Sequence, residues 1–247
     1  MLAFEQVREV PSSVAARRLE TPGHTGAVFD DDWTREAIRL HDRYTLEIVE
    51  HYGLCPWATR ARVGKRLRTV VCLQADADSV EDSVGVLYRW QRDEGMEVGF
   101  LLYPRLALAR AEFERFVTAV RTADSEQHPL GSAPFAMVGF HPDATPVLDD
   151  PERLIPFLRR TPDPCIQVVR IDVLERVRGS VPEGTQFVDV AFLEQAATKP
   201  VEVSVRDRVG RANLETVRGA GADEVRQRME AIRQDRDATY AKLRGAP

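Results

Sequence analysis

Apolar positions recur along this chain in two distinct periods, and the alternation between them outlines the fold. From 31 to 52 the spacing of three and four residues places Trp33, Ala37, Leu40, Tyr44 and Ile48 on one stripe, the signature of an amphipathic helix. Asp30 to Asp32 suit its N-cap and first turn, where negative charge meets the positive end of the helix dipole. Gly53 suits its C-terminal cap, and Pro56 prevents continuation. A β-branched, nearly continuous apolar run then predicts a buried strand over 67–74. Ser79 caps a second helix with Val80, Val84, Leu87 and Trp90 as its buried stripe, ending by Gly95. A strand over 97–103 closes at Pro104. The third helix carries Phe113, Phe116, Val117 and Val120, and the polar stretch 122–132 reads as a loop.

Strands over 135–140 and 165–171 follow, separated by a proline- and aspartate-rich segment with a short helix near 152–159. Loops of that length are frequently functional. The order β-α-β-α-β-β after the first helix implies an α+β fold, a mixed sheet of about four strands with packed helices. Beyond Gly179 the pattern weakens: 186–193 fits a short strand or a turn of helix. The charged stretch 222–243 then reads as a surface helix with Val225, Met229, Ile232 and Tyr240 as a sparse stripe. Three units result: an arm over 1–28, an α+β core over 29–180, and a mostly helical C-terminal extension over 181–247. That last helix either packs on the core or pairs two copies into a homo-oligomer.

Composition narrows the function classes. Against 34 Lys and Arg stand 39 Asp and Glu, a formal net charge of −5, which disfavours nucleic acid as a partner. No apolar run approaches the roughly 20 residues a membrane helix needs, and Met1 to Glu20 lacks the apolar centre of a signal peptide. A cytoplasmic protein with no membrane partner is the expectation. Three cysteines, an odd number, argue against a disulfide framework. Neither Cys-x-x-Cys nor His-Glu-x-x-His occurs, so no metal site is expected and the cofactor stays unknown. A P-loop, a Gly-x-Gly-x-x-Gly turn after a strand and a Gly-x-Ser-x-Gly elbow are also missing.

Candidate chemistry gathers where elements end. Cys55 either faces the negative end of the first helix, which keeps a thiol inert, or caps a following turn whose Arg60 and Arg62 favour thiolate. Burial as a small apolar residue is the bland alternative, and it is the reading for Cys72 and Cys165. His141 leaves the end of a strand with Pro142 fixing its exit; it is either a proton-transfer group or a loop lock held by backbone. His51, four residues before Cys55, is a weak second ligand at best. Arg160 and Arg170 bracket a Pro-rich turn and the last strand. Each needs an acceptor, either an internal carboxylate such as Asp143 or Asp163, or a small bound anion.

At these strings the chain resembles a bacterial family of unassigned role, the domain of unknown function number fourteen-fifteen. The strings are Leu54-Cys55-Pro56-Trp57-Ala58, Phe140-His141-Pro142, Arg160-Thr161-Pro162-Asp163-Pro164 and Gln167-Val168-Val169-Arg170. The resemblance spans roughly 33–176 and carries no activity with it. Gln167 stands where the family pattern has His, and Ile171 where it has Glu. What the resemblance implies is that Cys55, His141, Arg160 and Arg170 belong to one place. The resulting expectation is an enzyme acting on a small anionic metabolite, with Cys55 and His141 catalytic and Arg160, Arg170 and Gln167 holding the substrate. A non-catalytic binding or regulatory protein, and a structural or assembly protein, are the alternatives.

Overall fold

A computed structural model describes residues 26–55, 58–73, 75, 80–128, 133–144, 160–178, 215, 219 and 221–245 of the 247. In chain order the elements are α1 (Gly26–Tyr44), a π-helical continuation (Thr45–Glu50), α2 (Ala58–Val63), β1 (Leu67–Val71), α3 (Val80–Gln91) and β2 (Val98–Leu102). Then come α4 (Arg110–Glu126), β3 (Phe135–Phe140), β4 (Cys165–Arg170), α5 (Ile171–Arg178) and α6 (Ala222–Gly245). This is the α+β fold the periodicity predicts, with the four strands in one mixed sheet ordered β1-β2-β4-β3. β1 and β2 run parallel, and β4 is antiparallel to both of its neighbours.

Each helix stripe finds the side that its spacing requires. The α3 and α4 stripes, Val84, Leu87 and Trp90 with Phe113, Phe116, Val117 and Val120, share a core with Leu101, Ile166 and Val168 on one face of the sheet. Gly99 is required there: a Cβ would lie 2.5 Å from the Trp90 ring. On the opposite face Ala37 of α1 packs against Leu102 and Cys165. All five residues of the α1 stripe are buried.

Several boundaries differ from the sequence expectation. α1 begins at Gly26, so Asp30 to Asp32 lie inside the helix instead of capping it; no Gly or Pro falls between Gly26 and Trp33 to break it. Its last turns widen into π-helix, and Gly53 then adopts φ +60° while Leu54 N–H reaches back to Val49 O at 2.8 Å, closing the helix as expected. β1 stops at Val71, leaving Cys72 just past its end. α4 runs to Glu126, into the stretch read as loop, because Ala123 still packs on the core and Asp124 is buried. β4 gives way at once to α5, which the weak apolar pattern after Ile171 did not announce. Ser79, the short helix at 152–159 and the strand or turn at 186–193 lie outside the described residues.

The C-terminal helix packs on the core of its own chain. Val225, Met229 and Ile232 of α6 join Tyr44, Ile48, Tyr52 and Leu54 in one apolar cluster, and Tyr240 stacks on Trp33 with ring centroids 4.5 Å apart. Asp235 pairs with Arg39 at 2.9 Å and Arg43 at 2.8 Å on α1, and these guanidinium partners hold its carboxyl down at about 2. The stripe expected on α6 is therefore used within one chain.

Candidate functional site

Strand polarity decides which expected residues meet. Register aligns Val71, Leu102, Cys165 and Phe140 across one rim of the sheet, with Cys72, Tyr103, His141 and the 160–164 turn just beyond it. Arg170 pairs with Phe135 at the other rim. The six residues of β4 put it ~17 Å from Cys165. The expectation that Cys55, His141, Arg160 and Arg170 share one place does not hold for Arg170. Because β4 runs against its neighbours, its last residue is carried away from the rim where β3 ends. There Arg170 donates to the carbonyls of Trp90, Gln91, Asp93 and Met96, at 2.8 to 3.1 Å, holding the turn between α3 and β2. Its acceptors are backbone carbonyls, not the carboxylates weighed from sequence.

Gln167 sits mid-strand, opposite Phe100 and Val138, two residues inside the rim and on the α1 side of the sheet. The Phe100 ring lies 4.5 Å from His41 of α1, whose imidazole is sealed and whose Nε2 has no hydrogen-bond partner among the described residues. Burial depresses the His41 pKa to about 4.

His141 is only 5% exposed, and backbone engages both of its ring nitrogens. Nδ1 accepts the Asp143 N–H at 3.1 Å, so Nε2 carries the proton and donates to Leu108 O at 3.0 Å. Desolvation lowers its pKa, which favours this neutral tautomer. The lock ties the β3 exit to the loop before α4.

Cys55 is half-buried, and its carbonyl accepts from Ala58 N at 3.2 Å. Arg62 is turned away onto Glu50 through two bonds of 2.7 Å, so it does not serve the thiol. Cys72 and Cys165 are sealed, and burial pushes each thiol up to about 12.

Arg160 donates through Nε to Pro142 O at 3.1 Å. It lines a cavity of about 30 Å³ between the 160–162 turn and α6, together with Pro142, Tyr44, Met229, Arg226, Glu230 and Arg233. That volume holds about two waters or one compact group. Arg226 also pairs with Asp223. Beside the cavity, Asp163, 3% exposed, accepts from Arg236 Nε at 2.9 Å and from the Tyr240 hydroxyl at 2.7 Å. Burial still outweighs these partners and raises its carboxyl pKa.

The sequence reading singled out Arg160 but missed Arg226, Arg233 and Arg236. The signal for them was an arginine repeated at helical spacing along the charged side of α6. Asp163 was weighed as a partner for Arg160; its actual cation is Arg236, 73 residues on. Among the described residues no group of three or more His, Cys, Asp and Glu side chains comes together as metal ligands. No helix among them is long and apolar enough to cross a membrane.

These features define a single mixed-sheet α+β protein with a cationic cleft at the rim where β3 ends and β4 begins. The model of the family described as "Protein of unknown function (DUF1415)" matches residues 36–227, more than three quarters of the chain, and the protein belongs to that family. The match runs past the 33–176 stretch that carried the resemblance and takes in Arg226 of the cleft. No curated protein and no solved structure matches the chain.

Proposed function

We propose that this protein binds a compact anion, a phosphate or carboxylate group, in the cleft between the 160–162 turn and α6. The supporting observation is the set of arginines lining one small cavity: Arg160 from the turn, Arg226 and Arg233 from the helix. Planar guanidiniums suit bidentate contact with such groups. Arg160 has its Nε committed to Pro142 O, which restrains the guanidinium plane. Glu230 at the same cavity favours a ligand that carries a hydrogen-bond donor beside its acidic group.

In this reading His141 is a lock and not a proton carrier. It holds the turn that supplies Pro142 O to Arg160, and with both nitrogens engaged it has no lone pair to offer a substrate. Arg170 and Gln167 are outside the ligand's reach, Arg170 as a brace at the far rim.

A second reading, an enzyme acting on the same anion, has one observation in its favour. Cys55 is the one cysteine of the three that is not sealed, and it follows Leu54, which shares an apolar cluster with Met229 of the cleft wall. Turnover that Cys55→Ser abolishes without weakening anion binding would select it.

Isothermal titration of the full chain with phosphate, sulfate and succinate tests the binding reading. Saturable uptake that Arg160→Gln and Arg233→Gln each weaken is expected. Uptake indifferent to both variants, or none with any of the three anions, overturns it.

A further inference from the structure

One stripe of α6 carries both the walls of the cleft and the contacts that dock the helix. Residues 226, 229, 233, 236 and 240 are spaced three and four apart and so share a face. Its C-terminal part holds Asp163: Arg236 Nε at 2.9 Å and the Tyr240 hydroxyl at 2.7 Å take the two oxygens of a carboxylate that is all but sealed from solvent. Its N-terminal part puts Arg226, which pairs with Asp223, and Arg233 at the cavity that Arg160 also lines, three residues before Asp163 in the same turn. The interface between turn and helix is thus a buried ion pair at one end and, at the other, a small cavity lined by three arginines and the one carboxylate Glu230. Among the described residues Arg233 has no carboxylate partner, and no carboxylate pairs with Arg160.

Resting on the anion-binding reading, we infer that the anion is a clamp: its binding in the cleft and the docking of α6 on the Arg160–Asp163 turn are thermodynamically linked. An anion bridging Arg160 to Arg226 and Arg233 adds an attraction that joins the turn to the helix. It therefore favours the docked helix. Reciprocally, whatever holds the helix docked raises the affinity for the anion by the same factor. Asp163 touches no ligand. It is a positioning residue that fixes the rotation and height of α6, and with them the span between Arg160 and Arg233.

Hydrogen exchange of the full chain over 222–245, with and without saturating inorganic phosphate, reads the linkage directly. Exchange there is expected to slow about tenfold with phosphate, within the usual range of coupling between sites. Asp163→Asn is expected to weaken phosphate binding and speed exchange over 222–245, with high phosphate restoring protection. Tyr240→Phe, which removes one hydrogen bond and keeps the ion pair, gives a smaller shift in the same direction and serves if the first variant does not fold. A purely structural Asp163 would lower the melting temperature and leave the phosphate affinity of the folded protein unchanged; that result overturns the inference. Phosphate that binds without altering exchange over 222–245 overturns the clamp and leaves the site standing. Failure of phosphate to bind overturns the clamp, and failure of sulfate and succinate as well removes the anion site with it.

Discussion

The Tyr240 hydroxyl donates to Asp163 Oδ2 over 2.7 Å, joining the C-terminal helix to the turn that opens β4, and both side chains are buried. Arg236 takes the other carboxylate oxygen. Removing the carboxylate leaves the buried Tyr240 hydroxyl without its acceptor and leaves the Arg236 guanidinium only the exposed Asp237, at 3.0 Å. Asp163→Ala should therefore cost about 3 kcal/mol, the low end of the range for breaking a buried pair on one side, because Asp237 still compensates Arg236. Tyr240→Phe should cost about 1–2 kcal/mol, one buried hydrogen bond. Urea denaturation of both variants checks the order. Equal, small losses would show that the junction contributes little.

Arg170 should behave as a brace. Its guanidinium holds four backbone carbonyls of the α3–β2 turn at the rim away from the cleft. Arg170→Ala should lower stability by about 2–4 kcal/mol, from lost charge-assisted hydrogen bonds, and leave phosphate affinity within about twofold, as expected for a site remote from the ligand. Titration of the folded variant decides. A large loss of affinity would return Arg170 to the ligand site.

His41 should make the protein acid-sensitive. Its folded pKa, about 4, lies below the ordinary 6.5, so the native state favours the neutral ring. The sign follows: its contribution is fully present above pH 6.5 and is lost as pH falls from 6.5 toward 4. The loss approaches about 3 kcal/mol at the acid end. His141, also shifted down, adds to the same trend. His41→Leu should flatten most of the slope and, by removing a buried nitrogen without a partner, raise stability at pH 7. Urea midpoints at pH 7, 5.5 and 4.5 measure it; an unchanged slope in the variant contradicts the assignment.

The fold was largely legible in the sequence because burial has a period. The α1 stripe from Trp33 to Ile48, the α4 stripe from Phe113 to Val120 and the four strands all follow from spacing alone. Periodicity does not report strand direction. Arg170 and His141 both stood beside strand ends, and only the antiparallel run of β4 sends them to opposite rims. Nor does local pattern report partners far along the chain: Asp163 and Arg236 meet across 73 positions, and the cleft wall opposite Arg160 comes from a helix that read as mere charged surface. The beginning of α1 was misread for the opposite reason. Asp30 to Asp32 are good capping residues, but a helix already under way passes through them.

Cys55 should react and its two companions should not. Cys72 is 4% exposed and Cys165 fully buried, with burial pushing both thiols up to about 12, whereas Cys55 is only half-buried. Thiol labelling of the native protein at pH 7.5, read by peptide mass spectrometry, should modify Cys55 at least tenfold faster, as access and thiolate fraction dictate. Comparable rates at all three would place Cys55 among the packing residues.

The cationic cleft itself is tested most directly by crystals of the full chain soaked in tungstate, a heavy tetrahedral dianion that anomalous scattering locates without ambiguity. The expected result is a peak between the guanidiniums of Arg160, Arg226 and Arg233, lost in crystals of Arg160→Gln. A cleft without a peak, in crystals where tungstate occupies other cationic surfaces, would contradict the anion-binding reading.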